Sequence, residues 1–160
     1  MAHEYPYLAF AFACERVLQE QDGVLSAIRI VDGLLIRKNE AKPAADASGV
    51  QGITFLIGLK SGNYKGTGKL RLTGHAPSGK ALTPEQTGID IELKGGHHGA
   101  NLIINAGLPF SEEGVYWFDV CFDDRVLTRM PVSVSVFETP STTSQPVLSK
   151  PVARRSRRKD

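Results

Sequence analysis

Gly114-Val115-Tyr116-Trp117-Phe118-Asp119-Val120-Cys121-Phe122-Asp123-Asp124-Arg125-Val126-Leu127-Thr128-Arg129-Met130-Pro131-Val132 is the stretch that decides the fold. Tyr116, Phe118, Val120 and Phe122 recur at every second position. On an extended chain they share one face, while Trp117, Asp119 and Cys121 share the other. Asp123-Asp124-Arg125 reads as a tight turn, after which Val126, Thr128, Met130, Val132, Val134 and Val136 resume the alternation. Two such runs joined by a polar turn make a hairpin with one buried face. Pro131 has no N–H for a ladder, so the second strand is expected at a sheet edge or bulged there.

The same period runs back to the start of the chain. Leu8, Phe10 and Phe12 alternate with Ala9, Ala11 and Ala13. The large side chains are expected to pack the core, leaving a small face against which something could lie close. Gln21-Asp22-Gly23 is a turn, Ile28 and Ile30 lead a second strand to Asp32-Gly33, and Leu34 to Ile36 continue or bend it. Residues 39–49, with Lys42-Pro43 and Ser48-Gly49, form a polar loop. Ile53, Phe55, Ile57 and Leu59 mark a third strand, and Leu70 with Leu72 a fourth, with Ser61-Gly62-Asn63 as the turn between them. After a loop with Pro77, Ser78-Gly79 and Pro84 come Ile89, Ile91 and Leu93, a turn at Gly95-Gly96-His97-His98-Gly99, and a strand at Leu102 to Ile104. Asn105 to Gly114 reads as a connector. The expected fold is all-β, an antiparallel two-sheet sandwich of about eight strands over residues 1–138.

The chain has 160 residues, enough for one domain. Hydrophobic content of 41% with 22% charged residues is a globular balance. The formal charge of +2 hides a division. From Thr139 onward Lys150, Arg154, Arg155, Arg157, Arg158 and Lys159 face only Asp160, a balance of +5. The preceding residues keep thirteen cations against sixteen anions, or −3, so the body is mildly acidic. Pro140, Ser141, Thr142, Thr143, Ser144 and Pro146 bury too little apolar surface to offset ordering entropy, and 139–160 is expected to be a disordered basic tail.

Cys14 and Cys121 are sparse for a secreted scaffold. They read as reduced and buried, with one disulfide between them as the alternative. The apolar run Leu8 to Cys14 faintly imitates a lipoprotein cleavage site, but no Lys or Arg precedes it and Glu4 stands where the positive region belongs. The expectation is a cytoplasmic protein without a membrane segment.

The hairpin from Glu113 to Val132 resembles the C-terminal hairpin of a family of uncharacterised bacterial proteins catalogued as a domain of unknown function. Cys14-Glu15-Arg16-Val17, followed by Gly23-Val24-Leu25-Ser26-Ala27-Ile28, resembles that family's first hairpin. The resemblance spans about Leu8 to Phe137 and implies a small β-sandwich; it brings no activity and no functional residues.

Chemical motifs are weak. Gly62-Asn63-Tyr64-Lys65-Gly66-Thr67-Gly68-Lys69 suggests a phosphate loop, yet Asn63 stands where the first glycine belongs and Leu70 where the magnesium-binding hydroxyl belongs. It also joins two strands instead of opening a helix, so a Gly-rich hairpin is the expectation. His97-His98 with His75 could hold a metal, but adjacent residues on an extended chain point apart. Asp119, Asp123, Asp124, Glu112 and Glu113 could gather for calcium, although Asp123-Asp124 is an ordinary turn. No nucleophile has a visible base, so no catalytic residue, cofactor or metal ligand is assigned. Trp117, Tyr116 and Tyr64 could make an aromatic binding surface. Tyr116 is expected in the core, and Trp117, on the opposite face beside Asp119, lines the second sheet or stands as an exposed anchor.

The functional expectation is therefore a non-enzymatic binding or assembly module that recognises another protein through a sheet face or edge. Such a partner is often encoded by a neighbouring gene. The candidate partner-binding residues are Trp117 and the tail cations Arg154, Arg155, Arg157, Arg158 and Lys159. The alternatives are an adaptor tethered to nucleic acid or another polyanion by that tail, weakly and without sequence preference, and a metal-dependent protein with an unrecognised site.

Overall fold

Asp123 takes a φ of 51°, a left-handed conformation that aspartate tolerates better than most residues. The turn it makes reverses the chain between β6 (Gly114–Phe122) and β7 (Arg125–Glu138), which pair antiparallel from Phe122↔Arg125 back to Gly114↔Val134. The hairpin read from the sequence is present, with Tyr116, Phe118, Val120 and Phe122 buried, as are Met130, Val132 and Val134. The alternation expected from Val126 onward is broken by a register shift at Val120/Cys121, which exposes Val126 and turns Leu127 toward the core.

The computed structural model describes residues 5–38, 49–82 and 88–138. The other strands are β1 (Tyr7–Gln19), β2 (Leu25–Ile30), β3 (Gly33–Lys38), β4 (Gly49–His75) and β5 (Ile89–Phe110). All seven belong to one hydrogen-bonded sheet with the order β2-β1-β4-β6-β7-β3, and β5 pairs with β4 off that path. The class is all-β as expected. The arrangement is not the expected antiparallel pair of sheets with about eight strands: the described residues form seven strands in one sheet, and β3 runs parallel to β7. Among the described residues no helix is long and apolar enough to cross a membrane.

Two corrections to the strand count share one cause. Ser61-Gly62-Asn63 and Gly95-Gly96-His97-His98-Gly99 do not reverse the chain. They lie inside β4 and β5, which stay paired with each other on both sides of them: Leu59↔Ala100 before and Lys65↔Lys94 after, with register shifts at Lys60/Gly62 and Gly62/Lys65. The glycine-rich segment 62–69 is likewise a bulged piece of β4 and not a hairpin. A straight strand of 27 residues would be about 90 Å long, against a diameter of about 40 Å for a domain of this size. The ribbon therefore has to bend, and bulges supply the bend. Residues 105–110 of the expected connector extend β5.

The bend brings the two ends of β4 over one another. Phe55, near its start, packs against Phe118, whose backbone partner is Gly74 near its end; the ring centroids are 4.8 Å apart. Leu59, Leu70, Tyr116, Phe122 and Val132 fill the same core. Beside this core the expected facing of β1 is reversed. A register shift between Leu8 and Phe10 leaves Leu8 packed on the core. Ala11 and Ala13 then point inward, and Phe10 and Phe12 lie outside over Leu56 and Gly58. A Cβ on Gly58 would collide with the Phe10 ring.

β3 reaches the other half of the molecule through Arg29, whose φ is 52°. Val31 N–H donates to the Ala13 carbonyl at 2.8 Å, and the Asp32 carbonyl accepts from Ser133 N–H at 2.9 Å. β3 then follows β7 from Gly33↔Ser133 to Lys38↔Glu138. Pro131 thus lies on the part of β7 that β3 does not pair, consistent with its missing N–H.

This packing predicts opposite responses from neighbouring residues on β6. Phe118→Ala should cost about 3–5 kcal/mol, the usual range for a buried phenylalanine, and Trp117→Ala less than about 1 kcal/mol, as for an exposed side chain. Urea unfolding of the two variants measures the difference.

Candidate protein-binding face

The side chains of β6 and β7 that do not enter the core form an outer face. On β6 these are Val115, Trp117, Asp119 and Cys121, and on β7 Arg129, Pro131 and Ser133. Gly33 and Leu35 of β3 continue the face, because they are in register with Ser133 and Ser135. Trp117 sits between Pro131 of β7 and His75 of β4 and is 41% exposed. Val115 is 40% exposed and Leu35 77%. The exposed apolar side chains are thus spread over three strands out to β3, which ends the strand order, with Ser133 and Ser135 between Leu35 and the β6 residues.

A charged pair ties β6 to β7 beside Trp117. Asp119 and Arg129 are cross-strand partners, and the guanidinium grips the carboxylate with both arms: Nε donates to Oδ1 at 2.6 Å and Nη2 to Oδ2 at 2.9 Å. The carboxylate is almost covered, at 7% exposure for the residue, while the Arg129 side chain remains open to solvent. The hydrogen bond and the negative charge of Asp119 push the Arg129 pKa up further. Beside this pair the Cys121 thiol is also pushed up, first by burial and then by Asp119, against the lowering effect of Arg71 and Arg129. Cys14 is buried and raised by burial alone, and both cysteines are free.

The other residues singled out in the sequence fall into place around this face. Asp123 Oδ1 accepts from Lys69 N–H at 2.8 Å, and Asp123 N–H donates to the Lys69 carbonyl at 2.7 Å. Arg71 donates to the Asp123 carbonyl and pairs with Asp124 at 3.5 Å. The turn is thereby fastened to β4. Glu112 accepts from Ser78 N–H and Oγ, and Glu113 is exposed. Among the described residues, no three His, Cys, Asp or Glu side chains group as metal ligands would. Tyr116 is a core residue whose phenol accepts from Glu112 N–H and donates to the Glu112 carbonyl. Tyr64 packs edge-on against Phe122 at 5.2 Å. Of the three aromatics considered, Trp117 alone belongs to the outer face. His97 and His98 do not point apart: their rings stack at 4.4 Å, because the glycines before them bend the strand. The tail cations Arg154, Arg155, Arg157, Arg158 and Lys159 lie outside the described residues.

Leu35 and Val115 escaped the sequence reading. The signal for Val115 was present, since it shares the parity of Trp117 and Asp119. Leu35 had no such signal, because its place depends on a parallel partner a hundred residues away. Leu35 also borders a cleft of about 650 Å³, walled by Cys14, Glu15, Val31, Asp32 and Gly52, with the exposed Arg29–Glu15 ion pair (3.1 Å) along it.

The geometry defines an all-β domain with an apolar sheet face on its outside. The model of a family of unknown function, DUF6941, matches residues 9–135, and the chain belongs to that family. The match takes in part or all of each of the seven strands. No curated protein matches the chain.

A raised thiol pKa means less thiolate at neutral pH, so both cysteines should react slowly with a disulfide reagent at pH 7. Cys121 should react before Cys14, which waits for unfolding. The unfolded chain ionises its thiols at lower pH than the folded one, so stability should fall as the pH rises through the ordinary thiol range. Timed thiol labelling, with and without urea, measures the first effect, and unfolding at alkaline pH the second.

Proposed function

We propose that the domain is a non-enzymatic binding module that docks another protein on the outer β6–β7–β3 face, with Trp117 as the anchor. The observation that carries this reading is the exposed outward side chains of Val115, Trp117 and Pro131, with Leu35 beyond Ser133 and Ser135, on a sheet whose inner face is already filled. Tryptophan in such a setting supplies a large contact area at low entropic cost and is enriched among binding hot spots. The far edge of β3 has no partner strand among the described residues. A partner segment in extended conformation therefore fits the β3 edge: it can add main-chain hydrogen bonds to β3 beside Leu35, while another part of the same partner covers Trp117 on β6. Two free cysteines favour a reducing compartment and so the cytoplasm.

A second reading rests on the separation of charge between body and tail, −3 against +5. It makes Arg154 to Lys159 a tether to nucleic acid or another polyanion, acting beside the protein-binding face and without sequence preference.

The sequence contains one tryptophan, so fluorescence reports on the proposed interface directly. Titration with the purified products of neighbouring genes should shift Trp117 emission to shorter wavelength with one of them. Leu35→Asp should weaken that complex by at least about tenfold, as burying an unpaired carboxylate would. A partner that binds with unchanged Trp117 emission and equal affinity for the Leu35→Asp protein would contradict the reading.

A further inference from the structure

β4 and β5 bend at the same place, and the bend collects positive charge. Lys60 precedes it on β4 and Lys65 follows it; Lys94, His97 and His98 lie on the β5 side. All five side chains are exposed. Lys65 and Lys94 are direct cross-strand partners, which places their Cβ atoms about 4.5–5.5 Å apart. Like charges in that position destabilise a sheet. None of the five takes part in an ion pair among the described residues. The neighbouring Lys69 has one with Asp90, at 2.8 Å, and Glu92, opposite Thr67, is the acidic neighbour on this side.

The backbone is unusual at the same point. Gly62 (φ 55°) is the partner of Gly96 (φ 66°), and Gly95 (φ 84°) and Gly66 (φ 140°) flank them. The stem of Lys65 lies across Gly95, where a Cβ would collide with it, and Gly96 opens on free space. Gly62 lies under the Tyr7 ring and Gly95 under the Lys65 stem, so Gly96 is the open backbone of the three, between two groups of basic side chains: Lys65 with Lys94, and Lys60 with the stacked His97–His98 pair. A sequence that breaks a local charge rule at a bulge without a compensating gain in stability marks a functional position.

We propose that the β4–β5 bend is a binding site for a ligand carrying two or more phosphate groups, which meets both groups of basic side chains at once, the lysines by charge and the histidines by hydrogen bonds. Bound phosphate neutralises the Lys65–Lys94 repulsion, so binding stabilises the sheet that makes the site. The site lies on the folded body, is independent of the Arg-rich tail, and makes the mildly acidic domain locally cationic. A nucleic-acid backbone and a free polyphosphate both offer this chemistry.

The test is an NMR titration of the full chain with inorganic tripolyphosphate. Amide shifts should concentrate on Gly62, Gly95, Gly96, His97 and His98. Lys65→Gln with Lys94→Gln should weaken binding by about tenfold or more, the loss of two charge-assisted contacts, and should melt no lower than the parent. Lys94→Arg should keep the affinity. Replacing Arg154, Arg155, Arg157, Arg158 and Lys159 with Gln should leave the shifts at the bend in place. Displacement of the tripolyphosphate by a short DNA duplex would make the source a nucleic-acid backbone, and binding without displacement a free polyphosphate. The proposal is overturned if the bend shows no shifts at millimolar tripolyphosphate, or if the double variant binds as well as the parent.

Discussion

The structure depends on a strand too long for its own domain. β4 pairs with β1, β5 and β6 in turn, and it can do so only by bending where Gly62 meets Gly96. Without the bend, Phe55 and Phe118 would stand at opposite ends of a flat ribbon and the core would have no second wall. With it, one sheet closes over its own aromatic residues. The same bend gathers Lys60, Lys65, Lys94, His97 and His98, so the constraint that makes the core also concentrates charge on the outside.

Both candidate sites follow from what the core leaves over. The inward parity of β6 and β7 is taken by Tyr116, Phe118, Val120, Met130 and Val132. The outward parity is left with Val115, Trp117 and Pro131, held in place by the Asp119–Arg129 pair. Burying one ion of such a pair alone would be expensive, but the bidentate geometry and the solvent around Arg129 keep the cost low. The result is a face that sets exposed apolar side chains around one bidentate ion pair.

The sequence was legible where partners are near each other along the chain. The β6–β7 hairpin could be read because a two-residue turn joins its strands and β6 alternates, although no local signal marked the bulge that exposes Val126 and turns Leu127 inward. The β1–β2 turn at Asp22-Gly23 was equally local, with Val24 N–H bonded to Asp22 Oδ1 at 3.0 Å. The bends at Gly62 and Gly95-Gly96 were misread because glycine marks bulges and turns alike; which one forms depends on whether the flanking strands find a common partner. Phe10 and Phe12 were assigned to the core because large residues usually are. Here the space under β1 suited Ala11 and Ala13, while glycine at position 58 gave Phe10 a flat seat outside. The β3–β7 pairing, and with it Leu35 in the candidate face, is set by contacts about a hundred residues apart that no local pattern encodes. Trp117 was legible as an alternative between lining and anchor, and only the position of the sheet decided between them.

Both sites rest on β4 and β5 being single strands that stay paired through the bend. Cross-strand NMR contacts between their backbones test this directly. The account predicts contacts on both sides of the bend in one protein, Leu59 with Ala100 and Lys65 with Lys94. If Ser61-Gly62-Asn63 instead closes a hairpin, residues 56–60 will show contacts with residues 64–68 and the Lys65–Lys94 contact will be missing. That result would contradict the fold and both sites built on it.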